Sequence, residues 1–167
     1  MFNKSFFLLL LSLISGSGLF SQIRISADFD SGSIGSYKLI DSVWFFRNSN
    51  DSLLTLSYEI ESRFDPLNPV DTSLRPSARW YHFRMEGVKG KHIFLNIKNS
   101  EVIRPVYSYD GVNFQRFETV ENIYRGSVNK IFERDTVYIS HFVPYPYSRH
   151  EAKLKEWKSL AGVKHEV

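Results

Sequence analysis

The chain has 167 residues, 43% of them hydrophobic and 16% aromatic, which is enough apolar material for one packed domain and argues against disorder. Its formal charge is +3, with lysines and arginines dispersed along the chain, so neither a nucleic-acid stripe nor a membrane-surface patch is expected. It contains no cysteine, which excludes a disulfide framework, a thiol nucleophile and a lipidated cysteine anchor.

The first element has the layout of an export signal. Asn3 and Lys4 make a short positive start, residues 6–14 an apolar core, and Ser15, Gly16, Ser17, Gly18 and Ser21 the small residues of a cleavage site. The apolar run is far shorter than the roughly 20 residues needed to span a bilayer. Residues 1–22 are therefore expected to be a signal peptide cleaved near Gly18 to Gln22. The product would be exported, periplasmic or secreted, with no stable membrane anchor. Lys4 is the one charge before Arg24, so that product would carry +2.

From residue 23 the pattern has a period of two. Ile23, Ile25, Ala27 and Phe29 alternate with Arg24, Ser26, Asp28 and Asp30, as in a half-buried strand. A Ser/Gly turn over 31–36 leads to a more apolar strand over 37–46. A third strand covers 54–60, with Leu54, Leu56, Tyr58 and Ile60 on its apolar face. Residues 63–77, which include Pro66, Pro69 and Pro76, are the longest irregular stretch, a length often reserved for function. An aromatic strand over 79–85 follows, then a glycine turn, then a strand over 92–98 with Ile93, Leu95 and Ile97 on one side. Residues 106–109 run into the tight-turn dipeptide Asp110-Gly111 and a return strand over 112–117. Residues 122–130 show no regular pattern.

The last strand, 136–142, must end before Pro144 and Pro146, because each proline lacks an N–H and fixes φ. A helix is expected over 149–160. Ser148 and Glu151 have the spacing of a capping box, Leu154, Trp157, Leu160 and Ala161 share a face, and Gly162 is the stop. Short strands with turns at regular intervals argue for an all-β fold, an antiparallel β-sandwich of about eight or nine short strands with one C-terminal helix, or a barrel. The expected organisation is a signal peptide (1–22), a β-sandwich domain (23–148), and a helix with the start of a linker (149–167).

Catalytic chemistry is hard to find. No helical His-x-x-x-His pair occurs, and no histidine precedes a glutamate by three residues. His82, His92 and His141 fall on separate predicted strands, which leaves a three-histidine zinc site open beside the plainer reading of histidines bonded to neighbours. No Gly-x-Ser-x-Gly is present, and Ser108 reads as a turn-capping hydroxyl. Gly32 and Gly35 precede a strand, so no helix N-terminus awaits a phosphate. Asp28 with Asp30, and Glu59 with Glu61, read as solvated strand faces rather than a glycosidase pair. The aromatics of the central third read mostly as core. Three of them, Trp80, Tyr107 and Tyr109, would form a sugar-stacking platform if exposed, and Tyr-Ser-Tyr-Asp-Gly-x-x-Phe over 107–114 resembles a hairpin of discoidin-like carbohydrate-binding sandwiches.

Five stretches in order carry a wider resemblance. Residues 25–33 (Ile-Ser-Ala-Asp-Phe-Asp-Ser-Gly-Ser) are similar to a Phe-Glu-Ser-Gly-Asn opening, and 79–83 (Arg-Trp-Tyr-His-Phe) to a Gln-Trp-Phe-Tyr-Phe strand. Residues 94–99 (Phe-Leu-Asn-Ile-Lys-Asn) resemble a Phe-Asn-Ile-x-Asn strand. Residues 104–108 (Arg-Pro-Val-Tyr-Ser) resemble a Lys-Pro-Val-x-Tyr-Ser step, and 145–148 (Tyr-Pro-Tyr-Ser) a Tyr-Pro-Tyr-Thr-Tyr-Ser turn. Together they resemble the β-sandwich that precedes the catalytic domain in cytosolic-carboxypeptidase-type zinc metallocarboxypeptidases. The match covers about residues 25–157 and departs at Ser33, where asparagine is usual, and at Arg79, where glutamine is usual.

The resemblance implies a non-catalytic accessory domain whose partner is a metallocarboxypeptidase catalytic domain, in cis or in trans. Zinc, and the His-x-x-Glu that binds it, are expected only in that missing domain, so no catalytic, cofactor-binding or metal residue is assigned here. Tyr145, Tyr147 and Trp157 are expected at the junction between the two domains. The rival expectation is a free-standing carbohydrate-binding module of the cell envelope, with a glycan as its ligand.

Overall fold

Two five-stranded sheets lie face to face in the computed structural model, which describes residues 22–48, 51–98 and 104–160. Residues 1–21, Asn99, Ala161 and Gly162 lie outside the described residues, and with them most of the expected signal peptide and the expected helix stop. The strands are β1 (Arg24–Ser26), β2 (Ser36–Asn48), β3 (Asp51–Glu61), β4 (His82–Glu86) and β5 (His92–Lys98). They continue with β6 (Val106–Ser108), β7 (Gln115–Arg116), β8 (Asn122–Tyr124), β9 (Ser127–Ile131) and β10 (Thr136–Ser140). Among the described residues one α-helix, α1, covers Tyr147–Lys158, and a 3-10 turn covers Thr119–Glu121.

One sheet has the order β1-β4-β10-β6-β7 and the other β2-β3-β5-β9-β8. The fold is the expected all-β sandwich. Across the first sheet Met85 faces both Ile25 and Val137, and Ile139 faces both Phe83 and Tyr107, so two rows of apolar side chains each span three strands. Across the second, Leu56, Tyr58 and Ile60 stand beside Ile93, Leu95 and Ile97, and Val128 lies beyond Leu95. All of these are buried. Each contributes about 1.5–3 kcal/mol by leaving water.

The period-two pattern located β3, β5 and β10 well because each shows one face to this core. It did not locate β8 and β9. Strand β9 buries Val128, and its polar residues are bonded sideways: Ser127 Oγ donates to Asn96 Oδ1 at 3.2 Å, and Lys130 pairs with Glu121. The Lys130 ammonium also lies 5.0 Å from the Tyr107 ring centre. With its polar atoms matched across strands, β9 needs no apolar alternation to hold its place.

Strands β3 and β5 are parallel, with Tyr58 beside Leu95. A parallel pair needs a crossover rather than a hairpin, and here the crossover passes through β4 of the opposite sheet. The loop over 63–77 belongs to this crossover. Its base closes through the Asp65 N–H to the Ser77 carbonyl (2.7 Å), and Asn68 and Asp71 accept backbone N–H groups two or three residues on. Phe64, Leu67, Val70 and Leu74 stand exposed on it.

Strand β2 differs from expectation in exposure. Its apolar residues Leu39 and Trp44 lie opposite Tyr58 and Leu54 and so point to the core side, yet both remain exposed. The reason is that β2 is the edge strand of its sheet, with an open groove beneath it. The groove beneath, about 340 Å³, is lined by Leu39, Trp44, Leu56 and Ile23.

The turn after β1 leaves no room for a side chain at Gly32. A Cβ on Gly32 would lie 2.0 Å from the Ala27 carbonyl oxygen and 2.9 Å from that of Phe29. Both obstacles are backbone, so the turn itself must move. Gly32→Ala is expected to destabilise the chain by about 2 kcal/mol, read as a lower urea midpoint with an unchanged slope.

Candidate functional site

The helix and the turn that launches it are the most exposed apolar feature at the C-terminal end of the described chain. Pro144 is buried, and the chain then leaves the sandwich through Tyr145 and Pro146 into α1. No residue of α1 is buried. Its last turns expose Leu154, Trp157 and, just beyond, Leu160, the stripe expected from the sequence. Tyr145, Tyr147 and Trp157, the residues expected at a junction, are 55%, 67% and 51% exposed.

The capping box did not form. The helix begins at Tyr147 instead of Arg149 and ends at Lys158, two residues short of the expected Leu160. Pro146 occupies the N-cap position and no side chain of the helix caps it. The Ser148 N–H instead donates to Asp30 Oδ2 at 3.1 Å, across 118 residues of sequence. Glu151 is drawn to the Tyr147 hydroxyl, a bond that raises the tyrosine pKa. Asp30 is solvent-exposed, as its spacing suggested, but it lies in the turn after β1 and serves the helix start. Hydrogen bonds from the Ser148 side chain and backbone hold its carboxyl below the usual carboxylate range.

Between α1 and the sandwich lies a cleft of about 640 Å³. Phe29, Asp30, His82 and Phe114 line the sandwich side, and Pro146, Ser148 and Arg149 the helix side. His82 is only 4% exposed. Its Nδ1 lies 3.1 Å from Ser31 Oγ, while its Nε2 meets no hydrogen-bond partner among the described residues. The rings of Phe29 and Phe114 meet it edge-on at 4.9 and 5.7 Å. Burial in this aromatic setting lowers its pKa from 6.5 to about 4, so the imidazole is neutral at pH 7.

Asp110 stands at the cleft rim. The Asn113 N–H and side-chain amide, the Val112 N–H and the Ser108 hydroxyl all donate to it, which holds its carboxyl far below the ordinary range. The expected turn-capping role of Ser108 is therefore filled in concert with Asp110, whose carboxylate closes the turn.

The remaining candidates are dispersed. His82 and His141 belong to the sheet containing β4 and β10, where the His141 ring stacks on Tyr81 at 5.4 Å. His92 belongs to the other sheet and lies 3.2 Å from Thr55 Oγ1 and 3.3 Å from Asn129 Oδ1. Among the described residues no three His, Asp or Glu side chains converge on a point that could hold a metal ion. This donor set does not fit zinc.

The sugar-stacking platform is not assembled either. Tyr107 is 6% exposed and packs on Phe117 at 4.7 Å, and Tyr109 meets Phe132 edge-on beneath the Arg134 guanidinium. Trp80 stands apart beside His82 and His141. Sequence reasoning could not separate core from surface aromatics, because β6 is buried on both faces and shows no alternation.

These features define a class: an all-β sandwich carrying one exposed helix at its end, with no cluster of three metal-binding side chains among the described residues. The family model for the cytosolic carboxypeptidase N-terminal domain matches residues 25–142, and the chain belongs to that family. The match ends just after β10, at the residue before the chain turns toward α1. No curated protein matches the chain.

Solved structures agree on the fold. A metallo-carboxypeptidase from Burkholderia cenocepacia superposes with a TM-score of 0.58 at 20% identity, over 84% of this chain and 34% of its own. A metallo-carboxypeptidase from Pseudomonas aeruginosa, in complex with (2-guanidinoethylmercapto)succinic acid, gives 0.57 at 22% identity, over 86% of this chain and 36% of its own. The chain therefore spans about a third of the length of these enzymes.

Proposed function

We propose that the chain is a non-catalytic accessory domain that packs beside a metallocarboxypeptidase catalytic domain, in cis or in trans, and helps shape one wall of its cleft. Zinc and peptide hydrolysis belong to that partner. One observation carries the reading: in a chain matched to a carboxypeptidase N-terminal domain, the turn and helix that follow the matched region expose Tyr145, Tyr147, Leu154 and Trp157, and no residue of the helix is buried. Aromatic side chains of this kind are the usual anchors of an interface, and truncating a central one costs more than 1 kcal/mol. The same reading places the chain outside the cytoplasm, on the strength of its N-terminal sequence.

The test uses the purified chain and a catalytic domain of this family supplied in trans. The chain alone is expected to bind no stoichiometric zinc and to release no C-terminal residue from peptides. Its titration with the catalytic domain should show binding, and Trp157→Ala should weaken that binding about tenfold or more. Zinc-dependent peptidase activity from the chain alone would overturn the proposal, as would equal binding by the wild-type and Trp157→Ala chains.

A further inference from the structure

We propose that Asp30 is the positioning residue for α1: its carboxylate, held in a rigid turn of the sandwich, sets the direction in which the chain leaves the domain. If the chain is the accessory domain inferred above, Asp30 also sets the pose of the catalytic domain. That second step rests on the accessory-domain reading; the first does not.

The argument starts from what α1 lacks. It has no buried residue, and a cleft of about 640 Å³ opens between its first turn and the sandwich, so apolar packing does not fix its angle. Pro146, at the N-cap position, leaves the first N–H groups without a local side-chain acceptor. What reaches the start of α1 from the sandwich is a carboxylate. Asp30 takes the Ser148 N–H at 3.1 Å, and the Ser148 hydroxyl and Tyr147 N–H also point to it. An ionised carboxylate at this end also meets the positive end of the helix dipole.

The turn that carries Asp30 is built to hold it still. Ser31 sits at φ 64°, a left-handed conformation uncommon for a residue with a side chain. It is kept there from several sides. Ser31 Oγ lies 3.1 Å from His82 Nδ1, and the Trp80 indole N–H donates to the Ser31 carbonyl at 3.4 Å. Ser33 and His82 exchange both backbone hydrogen bonds, at 2.8 and 2.9 Å. The Phe29 ring packs edge-on to His82 and, at 5.6 Å, to Tyr138. Strain in a turn this strongly tied is what keeps its neighbour, Asp30, aimed at the helix.

The experiment is NMR on the ¹⁵N-labelled chain without any catalytic domain. In the wild type, α1 and the sandwich should share one alignment tensor, with backbone order parameters near 0.85 in both. In Asp30→Ala the α1 amides should fall below about 0.6 and leave that tensor, while the sandwich couplings stay as they were. Asp30→Asn keeps an oxygen acceptor and should hold the helix in place, since asparagine caps about as well as aspartate. An Asp30→Ala helix that keeps its order and orientation would overturn the proposal. So would an Asp30→Asn helix that loses them, or a wild-type helix already moving independently. Loss of docking on Trp157→Ala tests the other reading separately, so either inference can fail while the other stands.

Discussion

Lowering the pH from 6.5 to about 4 is expected to remove up to about 3 kcal/mol of folding stability through His82 alone. The imidazole is buried against Phe29 and Phe114, and burial pushes its pKa down to about 4, whereas in the unfolded chain it titrates near 6.5. Between those values the unfolded chain binds a proton that the folded chain refuses, so acid favours unfolding. The contribution is fully present above pH 6.5, falls through the window, and is lost below about pH 4. Asp30 and Asp110 line the same cleft, but hydrogen bonds hold both carboxyls below the ordinary range, so they titrate beneath this window. Denaturant unfolding at pH 7.0, 5.5 and 4.5 would show the slope, and His82→Gln should flatten it. Parallel pH profiles for the wild type and the variant would show that His82 is not the sensor.

Phe117→Ala is expected to cost about 3–5 kcal/mol, a large part of the 5–15 kcal/mol that holds a domain of this size. The ring is wholly buried, 4.7 Å from Tyr107 and 6.5 Å from Phe132. It follows the short edge strand β7, and Phe132 lies just past β9, so the ring joins the two sheets where their hydrogen-bond ladders are shortest. Thermal unfolding should drop by roughly 10 °C or more. Val120→Ala, at an exposed position close by, should stay within about 0.5 kcal/mol and serves as the control. A drop no larger for Phe117→Ala than for Val120→Ala would mean the aromatic cluster does not join the sheets.

Much of the fold was legible because alternation and burial coincide. Ile93, Leu95 and Ile97 face the core while His92, Asn96 and Lys98 do not, and β5 was found at its full extent. The helix was legible as an element, and so was its exposed stripe. The family was legible from short motifs in order, since each marks a place where the sandwich needs a given residue. The Ser31-Gly32 turn of the first motif is one such place, since backbone carbonyls leave no room for a Cβ on Gly32.

Other features were hidden for physical reasons. In β9, cross-strand partners of polar residues replace apolar periodicity. The parallel pairing of β3 with β5 depends on a crossover through the opposite sheet, which no local pattern encodes. Tyr107 and Tyr109 read mostly as core but left a binding platform open, because a tyrosine carries the same letter in both places.

The amino-acid sequence by itself determined that this is a cysteine-free β-sandwich with an apolar helix stripe at its end, and which family it resembles. Those properties are local: composition, period, and turn chemistry act within a few residues. Only the tertiary structure decided what starts that helix. Ser148 and Glu151 had the spacing to cap it, yet the Ser148 N–H went to Asp30, because the turn after β1 brings an ionised carboxylate to the helix end. A charged acceptor makes the stronger hydrogen bond to an unpaired N–H, and its nearness is a property of the folded chain.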